Sequence, residues 1–179
     1  MLPAPLPPVR RVVTANKPDG RSYIQEEHSS LVEMTPPGRP GYRNVNVWRT
    51  VGTPTAIDAA DTIQEHSGAQ PPADGTILRV IDFPPISNDP EERRRQASAS
   101  LQTLFKDCVH DASHPNPGMH ITRSVDYAIV LSGTITAVMD DGETDLHPGD
   151  ILIQRGTNHA WENRTDDIAR VAFVLIDGR

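Results

Sequence analysis

Two histidines and one aspartate of this 179-residue chain stand where their side chains could meet. In the stretch "HITRSVD", His120, Thr122, Ser124 and Asp126 share parity, so an unbroken strand would project all four from one face. In the later stretch "HAWEN", His159, Trp161 and Asn163 share parity in the same way. If the two strands lie side by side, His120, Asp126 and His159 converge. Imidazole nitrogen and carboxylate oxygen are good ligands for a divalent metal. They are also proton carriers: a carboxyl buried among apolar groups has its pKa raised and can act as general acid or base without a metal. Asp126 and His159 are therefore the candidate catalytic residues. The plainer alternative for both histidines is a pair of satisfied interior imidazoles.

The neighbours extend a candidate substrate pocket over Thr122, Arg155 and Trp161. Thr122 could hold a water or simply pack as a β-branched strand residue. Arg155, at the turn "QRGTN" with Asn158, could grip a substrate carboxylate bidentately, with an exposed turn arginine as the alternative. Trp161 could line the pocket or fill the core, and Tyr127 is expected in the core. His147 is expected to be solvated in a turn. His110 and His114 flank a proline-containing loop, and His28 and His66 carry no motif spacing. Cys108 has no activating context and reads as buried rather than nucleophilic.

The elements that must position these groups follow from the patterning. From Met119 onward, short β-rich runs alternate with Gly, Asp and Pro turns, which indicates an antiparallel sandwich or small barrel. The Asp-Gly of "MDDGE" marks a hairpin. Upstream, "TILRVIDFP" (76–84) is a strand by its β-branched content. Residues 87–109 form the one convincing helix, with an Asn/Asp start, an acidic first turn, and Leu101, Leu104 and Phe105 near its end. Residues 1–75 are loop-rich, with strands expected at 9–15, 21–27 and 43–50 and a short helix at 53–61. The division is thus a single domain over 1–179, with a core over about 76–179 and an N-terminal segment that adds strands.

Composition narrows the classes. The formal charge is −7, which leaves no basic face for nucleic acid. No apolar run is long enough to span a membrane, and "MLPAPLPPVRR" lacks the apolar stretch of a secretion signal. The single cysteine allows no intramolecular disulfide. The expected location is cytoplasmic. Aromatic residues make up 4% of the chain, which argues against an aromatic stacking platform.

Residues Gly118, His120, Thr122, Asp126 and Gly133, followed by Gly149, Gln154, Gly156, His159 and Asn163, resemble in order and spacing the two motifs of the cupin superfamily. The family's second histidine is Thr122 here, its glutamate is Asp126, and its proline is Gln154. The resemblance implies a mainly β fold, a cupin-type antiparallel β-barrel with one upstream helix. It also implies a metal at His120, Asp126 and His159, with zinc, iron, manganese or nickel as the divalent ion, or a site that has lost its metal. A small-molecule substrate and a homodimer are implied in the same way. Three functions follow. The first is a lyase or isomerase that dehydrates, decarboxylates or tautomerises a small carbonyl or carboxylate compound. The second is a non-haem iron dioxygenase, and the third is a non-catalytic binding protein with a vestigial site.

Overall fold

The computed structural model describes residues 3–27 and 31–179; His28 lies outside them. The chain runs β1 (Val12–Asn16), β2 (Ser22–Glu27), β3 (Val32–Met34), β4 (Arg43–Thr50), a 3-10 turn (Ile63–Glu65), β5 (Thr76–Phe83), α1 (Pro90–Thr103), β6 (Ser124–Ser132), β7 (Ile135–Met139), β8 (Glu143–Leu146), β9 (Ile151–Arg155), β10 (His159–Glu162) and β11 (Ala169–Asp177). Six strands pair in the order β3-β4-β5-β11-β6-β9, three in the order β10-β7-β8, and β1-β2 form a separate hairpin. Every pairing is antiparallel. The fold is mainly β with one α-helix, as the punctuated strand pattern predicts.

The core lies between the two larger sheets and follows strand parity. Ile77, Ile81 and Phe83 of β5 meet Val171, Phe173 and Leu175 of β11, and Ile135 and Ala137 of β7 close the other side. Alternation places one residue in two on this inner face. Tyr127, expected in the core, is a correction: its parity is opposite to that of buried Asp126, so it points outward and is 41% exposed. The N-terminal segment supplies β3 and β4 to the large sheet, and Tyr42 and Val45 are fully buried there.

Two local expectations fail for identifiable reasons. No helix forms over 53–61. The Thr53 hydroxyl, a candidate cap, instead donates to the carbonyl of Asp74 at 2.6 Å, and Asp61 caps the 3-10 turn by accepting from Ile63 N at 2.9 Å. The long helix is shorter than 87–109. It starts as its chemistry dictates, with the Asp89 side chain accepting from Glu91 N and Pro90 in the first turn. It stops at Thr103 because the residues beyond are committed elsewhere. Leu104 packs into the core. The Asp107 carboxylate accepts from the amides of Ala69 and Gln70, and Val109 bridges Ile121.

One ion cluster fastens the outer face of the large sheet. Asp82 of β5, 3% exposed, accepts from Arg43 of β4 at 2.7 Å and from Arg170 of β11 at 2.7 Å. Both arginines also donate to the carbonyl of Pro7, which ties the N-terminal strand-free segment to the sheet. Removing one member of a buried charge cluster strands the others. Asp82→Ala should therefore destabilise the protein by about 3 kcal/mol, read as a lowered urea midpoint; an unchanged midpoint would show that the cluster is dispensable.

Candidate functional site

The barrel encloses a cavity of about 110 Å³ beneath α1. His120, Thr122, Asp126, His159 and Trp161 all line it, so five residues singled out from sequence come together. Arg155 does not. Its neighbour Gln154 is the inward residue of β9, 1% exposed, and alternation turns Arg155 to the solvent side. Asn158 is likewise spent outside, donating to Asp140 at 2.8 Å. His147 is exposed and His114 lies 3.8 Å from Asp140, neither of them at the cavity. Cys108 is buried, and burial pushes its thiol up to about 12, which removes it as a nucleophile at neutral pH.

His120 is placed by backbone, not by a long strand. The run from Met119 forms only isolated bridges, to Ile121 from Val109 and to His120 from His159. His120 N donates to His159 O at 2.9 Å and His159 N to His120 O at 3.0 Å. This reciprocal pair sets the two imidazole rings face to face, with centroids 4.5 Å apart and planes inclined by 45°.

The ring nitrogens facing the protein fix what the rings offer the cavity. His120 Nδ1 lies 2.9 Å from the Gly118 carbonyl, which can only accept, so Nδ1 carries the proton and Nε2 holds a lone pair. His159 Nδ1 lies 2.7 Å from Gln154 Nε2 and 3.0 Å from the Thr157 carbonyl. The Gln154 amide is oriented by Gly156 N donating to Oε1 at 2.8 Å and by Nε2 donating to Thr157 O at 2.6 Å. His159 Nδ1 thus faces an amide N–H across the shorter contact and a carbonyl, which can only accept, across the longer one, so each tautomer finds a partner. His120 presents an acceptor to the cavity, and His159 presents a donor in the tautomer whose Nδ1 accepts from Gln154. Neither Nε2 has a hydrogen-bond partner among the described residues.

Electrostatics keep both rings neutral. Burial lowers the pKa of His120. Burial, with His120 alongside, lowers that of His159 to about 3. Burial raises the pKa of Asp126, whose Oδ2 accepts from Thr122 at 3.3 Å while Oδ1 is buried without a partner. Among the described residues no three His, Cys, Asp or Glu side chains are grouped to hold an ion. Asp126 lies on β6 in the large sheet, whereas His159 begins β10 in the small one. Of the expected set, His120, Asp126 and His159 all line the cavity, with donor types that a divalent ion accepts.

Aromatic rings are concentrated here despite their scarcity in the chain. Phe105, His120, His159, Trp161, Phe173, Phe83 and Tyr42 form an unbroken series of ring contacts, each between 4.5 and 6.3 Å from centroid to centroid. The 4% aromatic content does not reveal this series, because composition carries no information about clustering. The cavity mouth is fastened by Glu162, which accepts from Arg93 of α1 at 2.9 Å and from Asn116 at 2.7 Å.

Sequence reasoning missed Arg39, Tyr42 and Arg79 in the cavity wall. For Arg79 a signal was available: it shares parity with Ile77, Ile81 and Phe83 in "TILRVIDF", which places an arginine on an otherwise apolar inner face. Arg39 and Tyr42 precede β4 in a loop, where no periodicity could reveal them.

Two antiparallel sheets around a cavity with an imidazole pair at its wall define a small β-barrel protein. Residues 111–176 match the Cupin_2 family model, described as "Cupin domain". The chain is similar to phomopsin biosynthesis cluster protein C' of Diaporthe leptostromiformis, 46% identical over 63 residues, 34% of this chain and 33% of that protein. The match thus spans about a third of that relative's length. It is also similar to the cupin-domain-containing oxidoreductase fogC of Aspergillus ruber, 28% identical over 181 residues, 94% of this chain and 72% of that protein. Among solved structures, a Cupin 2 conserved barrel domain protein from Salinispora arenicola superposes with a TM-score of 0.40 and 14% identity, covering 80% of this chain and 82% of that one.

The depressed pKa values carry a stability consequence. His66, beside Arg79, is lowered from 6.5 to about 4 by burial and by Arg79 and Arg49, and His159 is lowered from 6.5 to about 3. Each folded value lies below the unfolded one, so the neutral ring's stabilisation is complete above about pH 6.5 and is lost as pH falls toward 4 and 3. The urea midpoint should drop on going from neutral to acidic pH. It should drop less steeply in His66→Gln and His159→Gln, and identical pH slopes in all three proteins would contradict the assignment.

Proposed function

We propose that the chain is a small-molecule enzyme of the lyase or isomerase type that moves a proton on a carbonyl compound. The observation that carries this reading is the imidazole pair side by side on the wall of a largely apolar cavity: His120 Nε2 is an acceptor, and His159, in the tautomer whose Nδ1 accepts from Gln154, offers Nε2–H as a donor. In such a site His120 takes a proton from the carbon next to the carbonyl. His159 gives its Nε2 proton to the carbonyl oxygen, so the electron pair of the broken C–H bond is held in an enol. Returning a proton to a different carbon gives tautomerisation, and departure of a β-hydroxyl as water, protonated by His120, gives dehydration; in decarboxylation the pair held in the enol is that of the C–C bond broken as CO2 leaves, and no C–H bond is broken first. Asp126, with one oxygen free of partners, is a second proton carrier. The rings around the pair keep water away from the enol.

A second reading is an oxidoreductase, supported by the name of the Aspergillus ruber relative that matches 94% of this chain. The two readings separate in one experiment. The purified protein is incubated with a panel of small carbonyl compounds in deuterated buffer, while deuterium uptake at carbon is followed by NMR and oxygen consumption by electrode. Proton chemistry gives solvent-derived deuterium without oxygen uptake, and His120→Ala or His159→Ala should each lower that rate roughly 10²–10⁴-fold. Oxygen uptake with substrate, together with iron in the purified protein, would select the second reading. Exchange that survives both histidine substitutions would rule out the imidazole pair.

A further inference from the structure

Among the described residues, two arginines in the cavity wall make no direct ion pair, although Asp107 and Asp126 lie close enough to Arg79 to favour its charge. Arg79 is 2% exposed on the inner face of β5. Its Nη2 donates to the carbonyl of Ala69 at 2.8 Å and lies 3.5 Å from that of Gly68 and 3.4 Å from His66 Nε2, while its Nε is buried with no partner at all. Arg39 donates to the Ser100 hydroxyl at 3.0 Å and lies over the Tyr42 ring at 4.3 Å. Among the described residues neither guanidinium is within ion-pair distance of a carboxylate.

This is unusual for the chain. It carries 24 acidic against 17 basic residues, so carboxylates are plentiful. The other arginines drawn into the structure find them: Arg43 and Arg170 pair with Asp82, Arg93 and Arg164 with Glu162, and Arg11 with Glu26 and Asp61. Neither acidic side chain at the cavity makes a direct ion pair with Arg39 or Arg79, and Asp126 acts on Arg79 only through space. Glu162 is held by Arg93 and Arg164 at the mouth, and Asp126 turns an oxygen to Thr122. A buried guanidinium without an anion is costly to keep. Its planar fork also matches the two oxygens of a carboxylate.

We propose that Arg39 and Arg79, with Tyr42 between them, form the carboxylate-binding end of the cavity, and that its ligand is a small organic acid carrying a carbonyl group. The carboxylate sits on the guanidiniums, and the apolar remainder lies along Phe83, Phe173 and Trp161 toward the imidazole pair. The identity of the reacting group rests on the proton-transfer reading above; the anion site does not.

Calorimetric titration of the full chain with 2-oxobutanoate and with its uncharged amide, 2-oxobutanamide, tests the inference. The acid should bind and raise the melting temperature, and the amide should bind far more weakly. Arg39→Gln should weaken acid binding roughly thirtyfold or more and leave amide binding unchanged. Arg79→Lys, which keeps the charge but loses the fork, should weaken the acid less than Arg79→Gln does. If Arg79→Gln does not fold, the Arg39→Gln and Arg79→Lys comparisons decide alone. Equal binding of acid and amide, binding of neither, or unchanged acid affinity in Arg39→Gln would overturn the proposal. His159→Ala should keep acid binding while losing deuterium exchange. Acid binding by the unsubstituted protein with no deuterium exchange would sink the proton-transfer reading and leave the anion site standing.

Discussion

Two backbone hydrogen bonds between His120 and His159 hold the site together. They join the short run before β6 to the first residue of β10, and so link the chain entering the large sheet to the small sheet. Because the bonds are reciprocal, the two residues sit directly opposite each other with side chains on one face. The rings must then be close, whatever their chemistry. The protein-facing nitrogens bear on the rest: a carbonyl fixes the proton on His120 Nδ1, while His159 Nδ1 meets both an oriented amide and the Thr157 carbonyl. Gln154 is central to this, since its amide is the nearer of the two groups at His159 Nδ1. It stands where the family motif has a proline, which could donate nothing.

β5 shows how one strand separates stability from recognition. On its outer face Asp82 meets Arg43 and Arg170, and every charge has a partner. On its inner face, three residues earlier, Arg79 has carbonyl partners but no direct ion pair. The outer cluster ties β4, β5 and β11 together and returns the N-terminal residues to the sheet. The inner arginine is held in place by the Gly68–Ala69 loop, which is itself pinned by the carboxylate of Asp107. Rigid support of a buried charge that lacks a direct ion pair is the arrangement expected of a preorganised site.

The fold was readable from residues 119–179 because antiparallel strands with one buried face print their alternation directly into the sequence. The helix was readable at its start, where Asp89, Pro90 and two glutamates act locally, and unreadable at its end. There Leu104, Asp107 and Val109 are claimed by partners distant in sequence. Parity located His120, Thr122, Asp126, His159 and Trp161 correctly on the cavity side, and the same rule, applied consistently, would have excluded Arg155 and Tyr127 and included Arg79. A three-ligand metal set was the expectation that parity could not test, since sharing a face does not fix the separation across two sheets.

What the sequence determined by itself is thus the alternation: which side chains are inside, which turns separate the strands, and which residue types are available for chemistry. The tertiary structure decided which inside groups meet. His120 and His159 are 39 positions apart and come together through backbone pairing. Arg39, Tyr42 and Arg79 reach the same cavity through a loop and a strand that no local pattern connects. Charge balance was decided there as well. A formula charge of −7 says nothing about two guanidiniums left without a direct ion pair, because pairing depends on distances that only the closed barrel sets.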